Sequence, residues 1–110
     1  MIVTDIARAC HEANRAVQRS LSEEINPPWD EAPEWMKESI TKGVEGIQAG
    51  NTPEESHAAW MVDRTERGWV WGKFKSELAK THPDLVPYEE LPPEQQLKDT
   101  LFHAIVTILT

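Results

Sequence analysis

His57-Ala-Ala-Trp60, then Arg67-Gly68-Trp69-Val70-Trp71-Gly72, then Lys80-Thr81-His82-Pro83-Asp84-Leu85-Val86-Pro87-Tyr88 form the stretch whose reading decides the fold. It holds three of the five tryptophans, set around Gly68, Gly72, Pro83 and Pro87. Flat, rigid side chains among two glycines and two prolines predict a fixed corner, a helix running into a short strand and back. Alternation in Trp69-Val70-Trp71 puts both indoles on one side of that strand. Leu85-Val86, bounded by Pro83 and Pro87, is the expected antiparallel partner, with prolines where pairing must end. Lys73, Lys75 and Lys80 fall in the excursion between the two strands.

Working outward, Thr52-Pro53-Glu54-Glu55 is the sharpest start signal in the chain, a capping box with proline at the first helical position. The helix it opens carries a stripe of Ala58, Met61, Val62 and Thr65 beside an adjoining one of His57, Trp60 and Arg64, and Gly68 is placed as its left-handed stop. Downstream, Leu91-Pro92-Pro93-Glu94 opens a helix with Leu97, Leu101, Ala104, Ile105 and Ile108 in line, widened by Phe102 and Leu109, which predicts the central core helix. His103 falls on its polar side with Asp99, as a surface histidine. Upstream, a first helix capped at Thr4 or Asp5 repeats Ile6, Ala9, Cys10, Ala13, Ala16, Val17 and Leu21. A second begins near Asp30, tolerates Pro33 in its first turn, buries Met36, Ile40, Gly43, Val44 and Ile47, and stops at Gly50-Asn51. Pro27-Pro28 make the link between them a stiff connector carrying Trp29, either a plug over the core or a stacking surface. The expectation is a mainly α single domain over 1–110: four helices and one short two-stranded antiparallel β element.

The order of these words resembles the ryanodine-receptor repeat, the RyR domain of calcium-release channels and of small bacterial and phage proteins. The resemblance rests on His57 with Trp60, Gly68-Trp69, Trp71-Gly72, Lys80-x-His82-Pro83, Leu85-Val86-Pro87-Tyr88, Leu91-Pro92-Pro93 and Lys98-Asp99. It is strongest over 52–106. The helical extension over 4–50 carries His11-Glu12-x-Asn14-Arg15 and Pro27-Pro28-Trp29, which look like the stand-alone prokaryotic branch. Trp71 stands where the family usually has Tyr, and Asp84 where many members have Cys.

Composition narrows the function classes. At 110 residues the chain can bury roughly two thirds of its unfolded surface without a metal or disulfide, and its single Cys10 cannot form an internal bridge. A net charge of −8 argues against bulk nucleic-acid or anionic-membrane binding, while leaving a small anion in a local pocket open. Met1 to Asp5 show no basic leader followed by an apolar core, so a soluble, cytoplasmic protein is expected. His11, His57, His82 and His103 come from separate segments without zinc-site spacing, and there is no phosphate loop, serine elbow or dinucleotide fingerprint. No metal, cofactor or catalysis is expected, and Cys10 reads as a buried structural thiol.

A binding module remains, with two classes of partner. His11, Asn14, Arg15 and Gln18 share a flank of the first helix, which is either a solvated face or one wall of a site. Tryptophans can stack on a base, and Arg15, Lys80 and His82 can meet phosphate. The resemblance implies an adenine-containing nucleotide or similar small anion, because channel repeats are implicated in adenine-nucleotide binding and prokaryotic copies in nucleotide sensing. The candidate site is then a cleft of His11, Asn14, Arg15, Trp29, Trp60, Trp71, Lys80 and His82 between the first helix and the corner. The other class is a protein partner held by exposed tryptophans, as the packing of channel repeats into a cytoplasmic shell implies.

Overall fold

The computed structural model describes residues 1–110 as four helices, α1 (Val3–Ser20), α2 (Glu34–Gln48), α3 (Pro53–Glu66) and α4 (Pro93–Leu109). Two single turns, Trp29–Glu31 and Tyr88–Glu90, and two strands, β1 (Val70–Trp71) and β2 (Thr81–His82), complete the chain. The local signals act as expected at α3: Thr52 Oγ1 accepts the Glu55 N–H at 3.2 Å and the Glu55 carboxylate accepts the Thr52 N–H at 3.0 Å. Gly68, at φ 90°, reverses the chain at its other end. Elsewhere the boundaries move. α1 starts at Val3 with no side-chain cap, and Trp29–Glu31 form a separate turn so that α2 begins only after Pro33.

The apolar core is thin, with 11 of 110 residues both apolar and buried, and it is centred on α1. Ile6, Ala7 and Cys10 meet Val44 and Ile47 of α2, Val106 of α4 and the plugging Trp29. Gly43 allows the α2 backbone to approach the Phe102 ring, which a Cβ there would touch at 3.3 Å. α4 is therefore one wall, not the centre. Its packed line is Phe102, Ile105, Val106 and Leu109, whereas Leu97 and Ile108 stay 56% and 77% exposed. A helix that is apolar around most of its circumference does not fix its own rotation, so its neighbours decide.

Of the two adjoining stripes of α3, the one carrying His57, Trp60 and Arg64 faces inward. Val62 is 57% exposed and Ala58 is also outside, while His57 and Arg64 are the residues that it buries. The inward face is the polar stripe.

The strand pairing also differs. β1 runs parallel to β2, with Val70 opposite Thr81 and Trp71 opposite His82, in place of an antiparallel pairing with Leu85-Val86. The Val70 N–H reaches the Lys80 carbonyl at 2.9 Å. The intervening chain doubles back first: Ser76 and Thr81 exchange backbone hydrogen bonds at 3.0 Å, and Lys80 turns through φ 55°. Leu85-Val86 is not free to pair as predicted, because the Val86 carbonyl accepts the His57 Nε2–H at 2.8 Å. The two indoles then part company, Trp69 being 5% exposed and Trp71 58%.

Trp69→Ala should cost about 3–5 kcal/mol in urea denaturation, whereas Trp71→Ala should stay within about 0.5 kcal/mol of the parent. Gly72→Ala should also destabilise, since the new methyl would lie 2.6 Å from Thr81 Cβ and the two strands must separate to admit it.

Candidate functional site

The polar faces of α1 and α3 look across the domain at each other, and between them lies a cavity of about 430 Å³. That volume is in the range of small-molecule sites. On the α3 side the wall is built around Arg64. Its guanidinium carbon lies 4.9, 5.3 and 5.8 Å from the ring centres of Trp35, Trp60 and Trp69. Nη1 donates to Ser39 Oγ at 2.9 Å and to Asp63 Oδ2 at 3.0 Å. Burial lowers the pKa of Arg64, with Asp63 opposing, and the group remains a cation at neutral pH. Burial also works against the Asp63 carboxylate, yet hydrogen bonds from Arg67 and Ser39 and the nearby guanidiniums together hold it below its ordinary value. Nε and Nη2 of Arg64 have no protein acceptor, and the residue lines the cavity.

Beside Arg64 stands His82, edge-on to Trp60 with ring centres 5.0 Å apart. Its Nδ1 accepts the Asp84 N–H at 3.0 Å, which leaves the proton on Nε2. Burial first, then Lys75 and Arg64, push its pKa down to about 3, so the ring is neutral and acts as a donor. Lys75 reaches in from the excursion and donates to the neutral Asn26 Oδ1 at 2.8 Å. Burial pulls its pKa down as well, with Glu24 opposing. Asn26 is held in turn by α1, through its N–H to Gln18 Oε1 at 2.9 Å.

The opposite end is acidic. His57 stacks on Trp60, with ring centres 5.5 Å apart, and its Nδ1 lies 3.8 Å from Asp99 Oδ2. Burial raises the Asp99 carboxyl to about 6, with His57 opposing and Asp84 adding to the rise. Asp84 is raised too, again chiefly by burial. The Lys98 charge partly offsets both rises, but it gives neither carboxylate a hydrogen bond, because its ammonium is bound to Glu23 and to Gln95 Oε1.

Of the residues expected in the site, His11, Asn14, Trp60 and His82 line the cavity and Arg15, Trp29, Trp71 and Lys80 do not. Arg15 is engaged locally, Nη1 with Glu12 Oε1 at 2.6 Å and Nε with the Asn26 carbonyl at 2.9 Å. Trp29 is the core plug, its backbone N–H held by Glu12 and its ring edge-on to His11. Trp71 is on the surface, and Lys80 Nζ caps α3 through the Arg67 carbonyl at 2.9 Å. Sequence reasoning missed Arg64, Lys75, Asp84 and Asp99 as wall residues. The signal for Arg64 was its position on one helical face with His57 and Trp60.

The RyR domain family matches residues 34–109, well over half of the chain. The chain belongs to the RyR domain family. The matched span begins at α2, so α1 and its connector lie outside it. They nevertheless complete this RyR domain, since α1 supplies Ile6, Ala7 and Cys10 to the core and His11 and Asn14 to the cavity. No helix is long and apolar enough to cross a membrane.

The two ends of the cavity titrate in opposite senses. The unfolded chain protonates Asp99 near 3.8 and the folded one near 6, so across that window the fold holds the extra proton and loses stability as pH rises. His82 takes its proton near 6.5 when unfolded and near 3 when folded, so it adds stability as pH rises and withdraws it as pH falls. From about pH 4 to 6 these slopes cancel in the parent. Asp99→Asn should expose the His82 slope and make stability fall steeply on acidification below about pH 6, by up to about one proton. His82→Gln should do the reverse. Urea midpoints across that range read both.

Proposed function

We propose that this domain is a non-enzymatic binding module for a small anionic ligand, with an adenine-containing nucleotide as the best match. The observation that carries this reading is Arg64, 9% exposed, with donors on Nε and Nη2 unengaged at the wall of a cavity of about 430 Å³. A guanidinium fork of this kind suits phosphate or carboxylate oxygens. Lys75 Nζ and the Nε2–H of His82 add donors beside it, and Trp60 and Phe102 offer aromatic surface for a base. The reading takes His11 and Asn14 as contributors from α1. The net charge of −8 does not decide the matter, because Arg64 and Lys75 place two cations at this end of the cavity.

Catalysis has little to draw on. Burial pushes the Cys10 thiol up to about 12, which keeps it protonated, and the buried Ser56 Oγ has no hydrogen-bond partner that could act as its base. The words His11 to Arg15 and Pro27-Pro28-Trp29 support a place in the prokaryotic branch of the family, and we read the protein as cytoplasmic. A protein partner is the second reading, favoured by Trp71, Phe74 and Leu78, which are 58%, 75% and 99% exposed on the excursion.

Calorimetry with AMP, ADP and ATP tests the first reading. The parent should bind at least one, Arg64→Gln should weaken that binding by about 10-fold or more, and Arg15→Ala, which reaches the site only through the Asn26 carbonyl, should weaken it far less. Lys75→Met, which removes a cation that forms no ion pair, gives the same answer if Arg64→Gln does not fold. Absence of binding by the parent across the panel rejects the ligand reading. Association lost in Trp71→Ala with nucleotide binding intact would favour the protein reading.

A further inference from the structure

The anion donors account for one end of the cavity only. Asp84 and Asp99 line the same cavity, and neither carboxylate has a hydrogen-bond donor from the protein. The neighbouring donors are engaged elsewhere: Lys98 with Glu23, and the His57 Nε2–H with the Val86 carbonyl at 2.8 Å. The His57 Nδ1 is 3.8 Å from Asp99 Oδ2, beyond hydrogen-bonding reach. Both carboxylates are open to the cavity, the Asp99 side chain being 24% exposed, so a ligand that displaces the solvent there must supply their donors. An acidic pair alone would not define a site. Here it shares a cavity with Arg64, which is 9% exposed and has unengaged donors, and with the fully buried, partnerless Ser56 hydroxyl. The surrounding side chains do not converge as a metal site, so the complement of the carboxylates is a hydrogen-bond donor.

We infer that the ligand is bifunctional, an anionic group held at Arg64 and Lys75 joined to an amino group received by Asp84 and Asp99, and that these two carboxylates determine specificity. The inference rests on the ligand reading above and extends it. An anion without a donor at its far end would leave both carboxylates unpaired and would meet their negative charge. A second phosphoryl group placed there would be repelled. An amino-bearing base answers both carboxylates at once, because its exocyclic nitrogen carries two N–H donors. The polar ends then read the two halves of the ligand separately, and the aromatic surface between them contributes affinity with little discrimination.

The test compares AMP with purine riboside 5′-monophosphate, which lacks only the exocyclic amino group, by calorimetry at neutral pH. The parent should prefer AMP by at least about 10-fold, because the deletion leaves the site's own acceptors unpaired. Asp84→Leu and Asp99→Leu, which keep the branching of the side chain and remove its acceptors, should bring the two nucleotides toward equal affinity. Asp99→Asn retains an acceptor and should keep part of the preference, and it serves where a leucine variant does not fold. Equal binding of both nucleotides by the parent overturns the bifunctional assignment and leaves the anion site standing. A preference that survives in both leucine variants also overturns it. Failure of the parent to bind either nucleotide overturns this inference together with the nucleotide reading on which it rests.

Discussion

A guanidinium in the interior of a small domain is tolerated only when its charge is answered and its faces are covered, and the packing around Arg64 does both. Asp63 and Ser39 take Nη1, while Trp35, Trp60 and Trp69 surround the plane. These partners come from α2, α3 and the start of the corner, so one side chain ties three segments together. Asp63 also accepts from Arg67 Nε at 3.1 Å, which fixes the last turn of α3 just before Gly68 reverses the chain. Trp69 is delivered into the cage by that reversal. The orientation of α3, with its polar stripe inward and Val62 outside, follows from this arrangement.

Much of the fold was legible because it is written in local chemistry. The Thr52 to Glu55 box, the left-handed Gly68 and the paired prolines act over a few residues, and the four helices follow from them. Faces and pairings were less legible. Periodicity ranks apolar stripes as inward, yet α3 buries His57 and Arg64 because its neighbours provide a carbonyl, a carboxylate and indoles that no local rule reveals. Two-residue strands carry no period, so parallel pairing of Val70-Trp71 with Thr81-His82 left no trace in the sequence. The candidate site depends on faces and pairings of this kind. Arg15 has the fork that suits an anion, and Glu12, one helical turn away, engages it at 2.6 Å. A local carboxylate of that kind is a warning visible in sequence, and Asp63 beside Arg64 shows that it is not decisive.

The parallel pairing determines what the excursion can do. Setting His82 opposite Trp71 turns Trp71 to solvent, and the doubling back at Ser76 and Thr81 lets Lys75 cross to Asn26 on the α1 connector. An antiparallel pair with Leu85-Val86 would have taken the Val86 carbonyl away from His57 and left that buried ring without its acceptor. The same excursion therefore brings a cation and a neutral imidazole into the cavity and leaves Trp71, Phe74 and Leu78 outside.

That division explains why α1 belongs with the rest although the family match begins at residue 34. Lys75 has no carboxylate partner and is held over the cavity by Asn26, and Asn26 is held by Gln18, which is 4% exposed on α1. His11, one face nearer the core, holds the Pro27 carbonyl at 2.7 Å and so fixes the connector from its other side. Removing α1 would take away the apolar centre and, through Asn26, the position of Lys75. The apolar stripe of α1 and its polar flank thus serve one structure: the stripe supplies the core, and the flank sets the connector against which the cationic end of the cavity is built.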